Sequence, residues 1–354
     1  MTRTALQWHL LIPGPLDQRT GGYVYDAQLV RGCRALGHQV AVHSLQGRFP
    51  EPDEAASRDM AAALAALPDD ALVVIDGLAL GGLPAVVATE AQRLRLIALV
   101  HHPLCDETGL SEPARQALFE RERAALAVCR GVVVTSGFTA RRLTDFDVAA
   151  RRIHVVPPGV TAAPQGPQRD DSSAGALLCV ATITPRKGQD LLVQALAGLR
   201  DLPWQCRLVG SVERDPAYAA QVRSAIAGNA LGERIELVGE IDPGALRALY
   251  RDAGLFVLPS HYEGFGMVFI EAINHGLPVV GTTGGALPDT IPADAGLLVP
   301  PGDATALGHA LRDWLTDEAL RSRLRGAARR RSRELPTWDD TVASFAEALG
   351  ELAA

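Results

Sequence analysis

The chain has 354 residues, a length that suits two domains better than one small core. Its apolar share of 47%, charged share of 21% and net charge of −7 are those of an ordinary globular protein, and they argue against a nucleic-acid partner, which calls for a basic surplus. Five scattered cysteines (Cys33, Cys105, Cys129, Cys179 and Cys206), with no Cys-x-x-Cys pair, fit reduced thiols and neither a disulfide frame nor a zinc site.

The N-terminal stretch is too short and interrupted for a signal peptide and reads as a first strand. No run approaches the roughly 18 apolar residues of a membrane span. The expectation is a soluble, cytoplasmic protein. Arg141, Arg142, Arg151 and Arg152 form either a solvated charge run or a basic patch for an acceptor or a membrane surface, giving peripheral contact with the inner face of the membrane.

Strand-length apolar runs occur at Leu6–Ile12, Gln39–His43, Ala71–Ile75, Leu94–Val100, Gly131–Thr135 and Arg152–Val156, with helical stretches between them. One such helix is Tyr23–Leu36, closed by Gly37. Pro157, Pro158, Gly159, Pro164, Gly166, Pro167 and the polar run Arg169–Ser173 then read as a linker. The alternation restarts with strands Ala176–Ala181, Gln205–Val209, Ile235–Val238, Leu255–Leu258, Pro278–Gly281 and Gly296–Val299. Helices are expected at Gln189–Leu199, Pro216–Gly228, Pro243–Asp252 and Met267–His275. Short continuous apolar strands flanked by helices indicate parallel sheets covered on both faces. The fold class is therefore α/β, with two Rossmann-like doubly wound domains, residues 1–160 and 161–336, facing across a cleft. The basic stretch Arg321–Arg333 reads as a solvated helix face. Beyond Pro336 the segment Trp338–Leu352 reads as another amphipathic helix, with Trp338 as core packing.

Four constellations carry chemistry. After strand Leu255–Leu258 come Glu263-Gly264-Phe265-Gly266, Met267 and a helix bearing Glu271. Glycines before a helix let the backbone approach a ligand, and the helix start offers unpaired N–H groups to an anion. The segment reads either as a sugar-phosphate site with two acids for hydroxyl groups or as a plain corner with solvated acids. Arg186-Lys187, just before Gly188, lies at the carboxyl edge of a parallel strand, where a guanidinium fork and an ammonium suit a diphosphate. Adjacent basic residues at a helix start are also commonly solvated. Gly21-Gly22 opens the first helix but is not Gly-x-Gly-x-x-Gly, which disfavours a dinucleotide-dependent dehydrogenase. Lastly, His101-His102 ends a strand, where a histidine either hydrogen-bonds a sugar hydroxyl or is a satisfied polar residue under a loop; neighbouring side chains in extended backbone diverge, which disfavours chelation of a metal by the pair.

The run Phe256-Val257-Leu258-Pro259-Ser260, then Glu263-Gly264-Phe265-Gly266, Glu271-Ala272, Gly276-Leu277-Pro278-Val279-Val280 and Gly284-Gly285, resembles the signature of retaining GT-B glycosyltransferases of family four. Asp289 departs from it, standing where that family more often has Glu. The resemblance implies that Glu263 contacts a donor hexose and that main-chain N–H groups of Gly264, Phe265, Gly266 and Met267 hold sugar and phosphate. Glu271 then takes the ribose hydroxyls, Arg186 and Lys187 clamp the diphosphate, and Gly21-Gly22 faces phosphate and acceptor. His101 touches the donor sugar, with His102 as the fallback. Ser136 aligns with a family serine of open role, and Asp106 and Glu107 are candidates for orienting an acceptor hydroxyl; the resemblance also implies that the final helix crosses back to complete the first domain as residues 337–354, with Trp338 marking the crossover.

The reaction implied by this resemblance is hexosyl transfer from a UDP- or GDP-sugar to a hydroxyl of a glycan or lipid-linked acceptor, with retention, in the making of cell-surface polysaccharide or glycoconjugate. With two cations and a helix terminus present to offset the leaving group's charge, no cofactor or metal is expected. An epimerase or a phosphorylase of the same architecture, or a non-catalytic binding module, is the alternative.

Overall fold

The computed structural model describes residues 5–163 and 171–353; Pro164, Gly166, Pro167 and Arg169 of the expected linker lie outside them. The chain divides into two compact units, Met1–Gly159 with Pro336–Ala354, and Val160–Leu335.

In the first unit the elements are β1 (Gln7–Pro13), α1 (Gly21–Ala35), β2 (Gln39–Leu45), α2 (Glu54–Ala65), β3 (Leu72–Asp76), the short α3 (Gly77–Leu80) and α4 (Pro84–Glu90). They continue with β4 (Arg95–Val100), α5 (Glu112–Val128), β5 (Gly131–Val134), α6 (Gly137–Arg142) and β6 (Ile153–Val155). The strands form one parallel sheet in the order β2-β1-β3-β4-β5-β6. Its central strands are buried along their length, as Leu72–Asp76 and Leu96–Val100 show, which is why they read as unbroken apolar runs.

The second unit holds β7 (Ala176–Val180), α7 (Gln189–Ala197), β8 (Gln205–Val209), α8 (Pro216–Gly228), β9 (Ile235–Gly239), α9 (Pro243–Asp252) and β10 (Leu255–Val257). After these come α10 (Met267–Asn274), β11 (Val279–Thr282), α11 (Leu287–Thr290), β12 (Gly296–Val299), α12 (Ala304–Thr316) and α13 (Glu318–Arg331). Its sheet is parallel too, in the order β12-β11-β10-β7-β8-β9. The last helix, α14 (Trp338–Ala353), belongs to the first unit: Phe345 meets Trp8 of β1 edge to face at 5.5 Å, and both are buried.

Each sheet reverses its winding once. The chain steps outward from β1 to β2 and then to β3 on the other side of β1; in the second unit the reversal falls between β7 and β10. At such a point two loops leave the strand ends in opposite directions and open a crevice at the carboxyl edge.

The basic segment of α13 departs from expectation. Arg321 and Arg325 are buried, not solvated: Arg321 donates to the Trp314 carbonyl at 3.0 Å, and the Arg325 guanidinium lies 5.3 Å from the Trp314 ring centre. A planar guanidinium packs on an aromatic face while its stem covers apolar surface, so this helix faces inward with arginines. Trp338 is only half-buried, packed edge to face on Tyr25 at 6.1 Å, so it is not a fully enclosed core residue. The four arginines at 141–152 differ in their surroundings. Arg142 is bound by Asp106 and Asp145, and Arg152 donates to the carbonyls of Leu126 and Cys129, while Arg141 and Arg151 are exposed. All five cysteines are buried free thiols. Among the described residues no helix is long and apolar enough to cross a membrane.

Candidate active site

At the reversal point of the second unit, the loops after β7 and β10 are stitched together. The His261 N–H donates to the Arg186 carbonyl at 2.8 Å, and Arg186 Nη1 donates to the Tyr262 carbonyl at 2.9 Å. Between them sits Glu263, buried at 6% exposure. Lys187 Nζ lies 2.5 Å from its Oε1, Ser260 Oγ donates to the same oxygen at 2.6 Å, and Arg186 Nη1 is 3.5 Å from Oε2. Burial alone would push this carboxyl up; Lys187 and Arg186, with the Lys187 and Ser260 hydrogen bonds, outweigh it and hold it below its ordinary value. Two cations thus flank one buried carboxylate at this edge.

Gly284-Gly285 serves this loop. Gly285 has φ +64°, and a Cβ there would overlap the Glu263 carbonyl oxygen, which also accepts the Ala286 N–H at 2.8 Å. Gly266 ends the loop in the left-handed region at φ +91° and opens α10 with no side-chain cap, so its first N–H groups have no capping side chain. Gly264 and Gly266 are buried, whereas Phe265 and Met267 are half-buried.

Glu271, a turn into α10, stands apart from that network. Its partner is the Tyr250 hydroxyl at 3.2 Å, and the Tyr250 ring stacks on His275 at 5.1 Å. Burial raises the Glu271 carboxyl to about 6, against the opposing Tyr250 hydrogen bond.

In the first unit the reversal point gathers a different set. Gly22 lies beneath the His101 ring, where a Cβ would come 3.0 Å from Cδ2. Gly21, beside it, is exposed. His101 Nε2 is 3.2 Å from Oδ1 of Asp26 and 3.6 Å from Oδ2 of Asp76. Asp26 follows Gly22 by four residues and so shares its helix face, and Asp76 ends β3 and caps α3 through the Leu78 N–H at 2.9 Å. One ligand-type atom from each of Asp26, Asp76 and His101 falls within a 4.8 Å circle, a spacing that could hold a metal ion.

The candidates on the acceptor side sit nearby in sequence but are already engaged. Asp106 takes both Arg142 Nε and Nη2, at 3.0 Å and 2.9 Å. His102 Nε2 is 3.5 Å from Oε2 of Glu107. Ser136 caps α6, accepting the Thr139 N–H at 3.0 Å, which gives it a structural duty. Beneath this loop the buried Glu122 accepts the Leu104 N–H at 2.9 Å, and burial raises its carboxyl to about 8.

Sequence reasoning found the three partners Arg186, Lys187 and Glu263 but not that they pair with one another. It missed Ser260, Tyr250, Asp26 and Asp76. For Asp26 a signal existed, namely an acid four residues after a helix-opening glycine.

Comparison with known proteins bears on this arrangement. Residues 20–163 match the family described as Glycosyltransferase Family 4, and residues 168–331 match Glycosyl transferases group 1. The MMP alpha-(1->4)-mannosyltransferase of Mycolicibacterium hassiacum is 29% identical over 326 residues, covering 86% of this chain and 77% of that protein. A D-inositol 3-phosphate glycosyltransferase of Acidothermus cellulolyticus is 31% identical, covering 70% of this chain and 59% of that protein. Other relatives of that second kind match over 210 to 278 residues, and the chain spans 49% of the length of the one from Jonesia denitrificans. In structure, the sucrose-phosphate synthase of Thermosynechococcus elongatus superposes with a TM-score of 0.81 at 24% identity, covering 99% of both chains. Anabaena HepE, described in complex with UDP and glucose, superposes at 0.76 with 16% identity, covering 98% of this chain and 99% of that one. The two parallel sheets with flanking helices are thus those of a GT-B glycosyltransferase. The chain belongs to glycosyltransferase family 4.

Proposed function

We propose that the chain moves a hexose-type sugar from a UDP- or GDP-sugar to a hydroxyl of a glycan or lipid-linked acceptor, with retention and without a metal. The observation that carries this reading is the pair of cations, Lys187 and Arg186, gathered at buried Glu263 beside the uncapped start of α10. A diphosphate leaving group gathers negative charge as the sugar departs, and fixed cations with helix N–H groups offset that charge without reorganising. In this reading Lys187 and Arg186 hold the diphosphate, Glu263 meets the hexose and keeps both cations in place, and Glu271 accepts from the ribose. On the first unit, Gly21-Gly22 and His101 meet the donor, and the loop at His102, Asp106 and Glu107 lies on the acceptor side. With no obvious protein nucleophile in these motifs, the acceptor attacks on the face the phosphate leaves, and the phosphate helps remove its proton. The relatives named as a mannosyltransferase and inositol-phosphate glycosyltransferases, and the neighbour bound to UDP, support a nucleotide-sugar donor. The protein would work in the cytoplasm, peripherally at the inner membrane where its acceptor is lipid-linked, in cell-surface polysaccharide or glycoconjugate synthesis.

A panel of UDP- and GDP-sugars in a thermal-shift screen identifies the donor, since ligand at a hundred times its Kd adds about 2.7 kcal/mol. Transfer is then followed with hydroxyl acceptors, with the anomeric configuration read by proton NMR. The reading expects nucleoside diphosphate release that needs an acceptor and persists in chelator. Donor turnover that needs inorganic phosphate, or epimerised donor without acceptor, would overturn it.

A further inference from the structure

Two buried carboxylates converging on one histidine cannot stand there without bound protons. Asp26 is 1% exposed, and neither of its oxygens has a hydrogen bond of good geometry; its close partner is His101 Nε2 at 3.2 Å. Asp76 is equally enclosed and turns Oδ2 to the same nitrogen, its Oδ1 being taken by the Leu78 N–H. The other neighbours bring no charge. Tyr25 of α1 meets the ring edge to face at 5.4 Å and spends its hydroxyl on the Val156 carbonyl; Thr135, after β5, donates to the His101 carbonyl; Trp338 of α14 touches Tyr25. Among the described residues no other charged side chain pairs with the imidazole. Two ionised acids beside a neutral ring would cost many kcal/mol in such a place.

We propose that Asp26 and Asp76 are positioning residues that fix the His101 ring through Nε2–H and keep it an imidazolium, so that Nδ1–H is a charged donor to a ligand oxygen. The proposal deepens the reading of His101 as a donor-sugar contact and rests on it. Among the described residues Nδ1 has no protein partner, and the side chain keeps 20% of its surface exposed, which leaves this nitrogen for a ligand. Charge-assisted donors are shorter and roughly twice as strong as neutral ones. The titration of the groups agrees with the geometry. Burial pulls His101 down, but the close Asp26 carboxylate, and Asp76 after it, outweigh burial and raise the ring above its ordinary value. Burial and the neighbouring Asp26 lift Asp76 to about 7, against His101 and the Leu78 N–H, so near neutrality Asp76 carries part of the proton the cluster needs.

The test is histidine nitrogen NMR on the intact protein, with Asp26→Asn as a near-isosteric variant and Asp76→Asn beside it. The wild type should show His101 protonated on both nitrogens at pH 7. In Asp26→Asn its titration should fall by about one unit or more, and in Asp76→Asn by less. In transfer assays Asp26→Asn should lose about tenfold or more in kcat at pH 8, regain part of it towards pH 6, and change the donor KM little. His101 neutral at pH 7 in the wild type, or an unshifted titration in Asp26→Asn, overturns the proposal; if that variant does not fold, Asp76→Asn decides by the same readout. Stoichiometric Mn²⁺ or Zn²⁺ retained by the wild type and lost in Asp26→Asn also overturns it, since the three groups would then be a metal centre. Absence of any sugar transfer would instead sink the proposed function while leaving the NMR result to stand.

Discussion

The two reversal points share a topology and differ in charge. In the second unit one buried carboxylate, Glu263, is surrounded by Lys187, Arg186 and the Ser260 hydroxyl. In the first, one imidazole is surrounded by the carboxylates of Asp26 and Asp76. In the first arrangement the two cations hold the Glu263 carboxyl below its ordinary value despite its burial. The second is a proton-holding set whose charge depends on pH, with Asp76 at about 7. One fold therefore sets a carboxylate flanked by cations at one reversal point and an imidazole flanked by carboxylates at the other, and the difference lies in a few side chains at strand ends.

The sharpest way to break that contrast is to remove the fixed charge. Lys187→Ala should reduce transfer about a thousandfold. It should also lower stability, by about 3 kcal/mol, because Glu263 remains buried with one cation fewer. The paired change Lys187→Ala with Glu263→Ala should recover much of that stability and none of the activity, as a denaturant titration and a turnover assay would read. Stability unchanged in the single variant would mean the ion pair is solvated and the picture of this edge is wrong.

Next in size is Phe345→Ala, which opens a cavity beside Trp8 and should cost the first unit about 4 kcal/mol. Nucleotide-sugar binding by calorimetry should survive, since the carboxylate flanked by cations is built within the other unit. A smaller loss, about 3 kcal/mol, is expected for Gly285→Ala, where positive φ and the Glu263 carbonyl both resist a side chain. Gly37→Ala is the control, with φ +89° but open space around it, and should cost about 1–2 kcal/mol.

The smallest effect tests whether the second unit is as insensitive to pH as its cations suggest. Glu271 is raised to about 6, so its carboxylate is the majority form above that pH and is lost as pH falls through it. Affinity for a nucleotide sugar, whose diphosphate does not titrate in this window, should weaken about tenfold from pH 8 to pH 5. Tyr250→Phe removes the hydrogen bond that holds this carboxyl down, so the midpoint should move to higher pH. A flat profile in both proteins would remove Glu271 from the ribose contact.

Much of this was legible in the sequence, for definite reasons. Strands such as Leu94–Val100 are apolar on both faces because helices cover both, and the glycines around Phe265 mark a loop that must turn sharply into α10. Local pattern does not encode partners far along the chain. Asp106 reads as a candidate for an acceptor hydroxyl until Arg142, on α6, is seen to bind it at two points. Arg321 and Arg325 look solvated because a charge run normally is; only the position of Trp314 turns them inward. Asp26 and Asp76 are single acids on a helix face and at a strand end, and their meeting at His101 depends on which strands the sheet places side by side.

The position of α14 carries a consequence for how the molecule is made. Residues 336–354 complete a unit whose other residues all precede Val160, and Thr341 donates to the Pro157 carbonyl while Phe345 covers Trp8. On the ribosome the first sheet is therefore synthesised early yet keeps the face at Trp8 uncovered until α14 has been made, whereas the second unit is complete before α14 begins. The later-born unit can finish folding first, and the earlier one must wait for its last helix with its face of Trp8 still open to solvent.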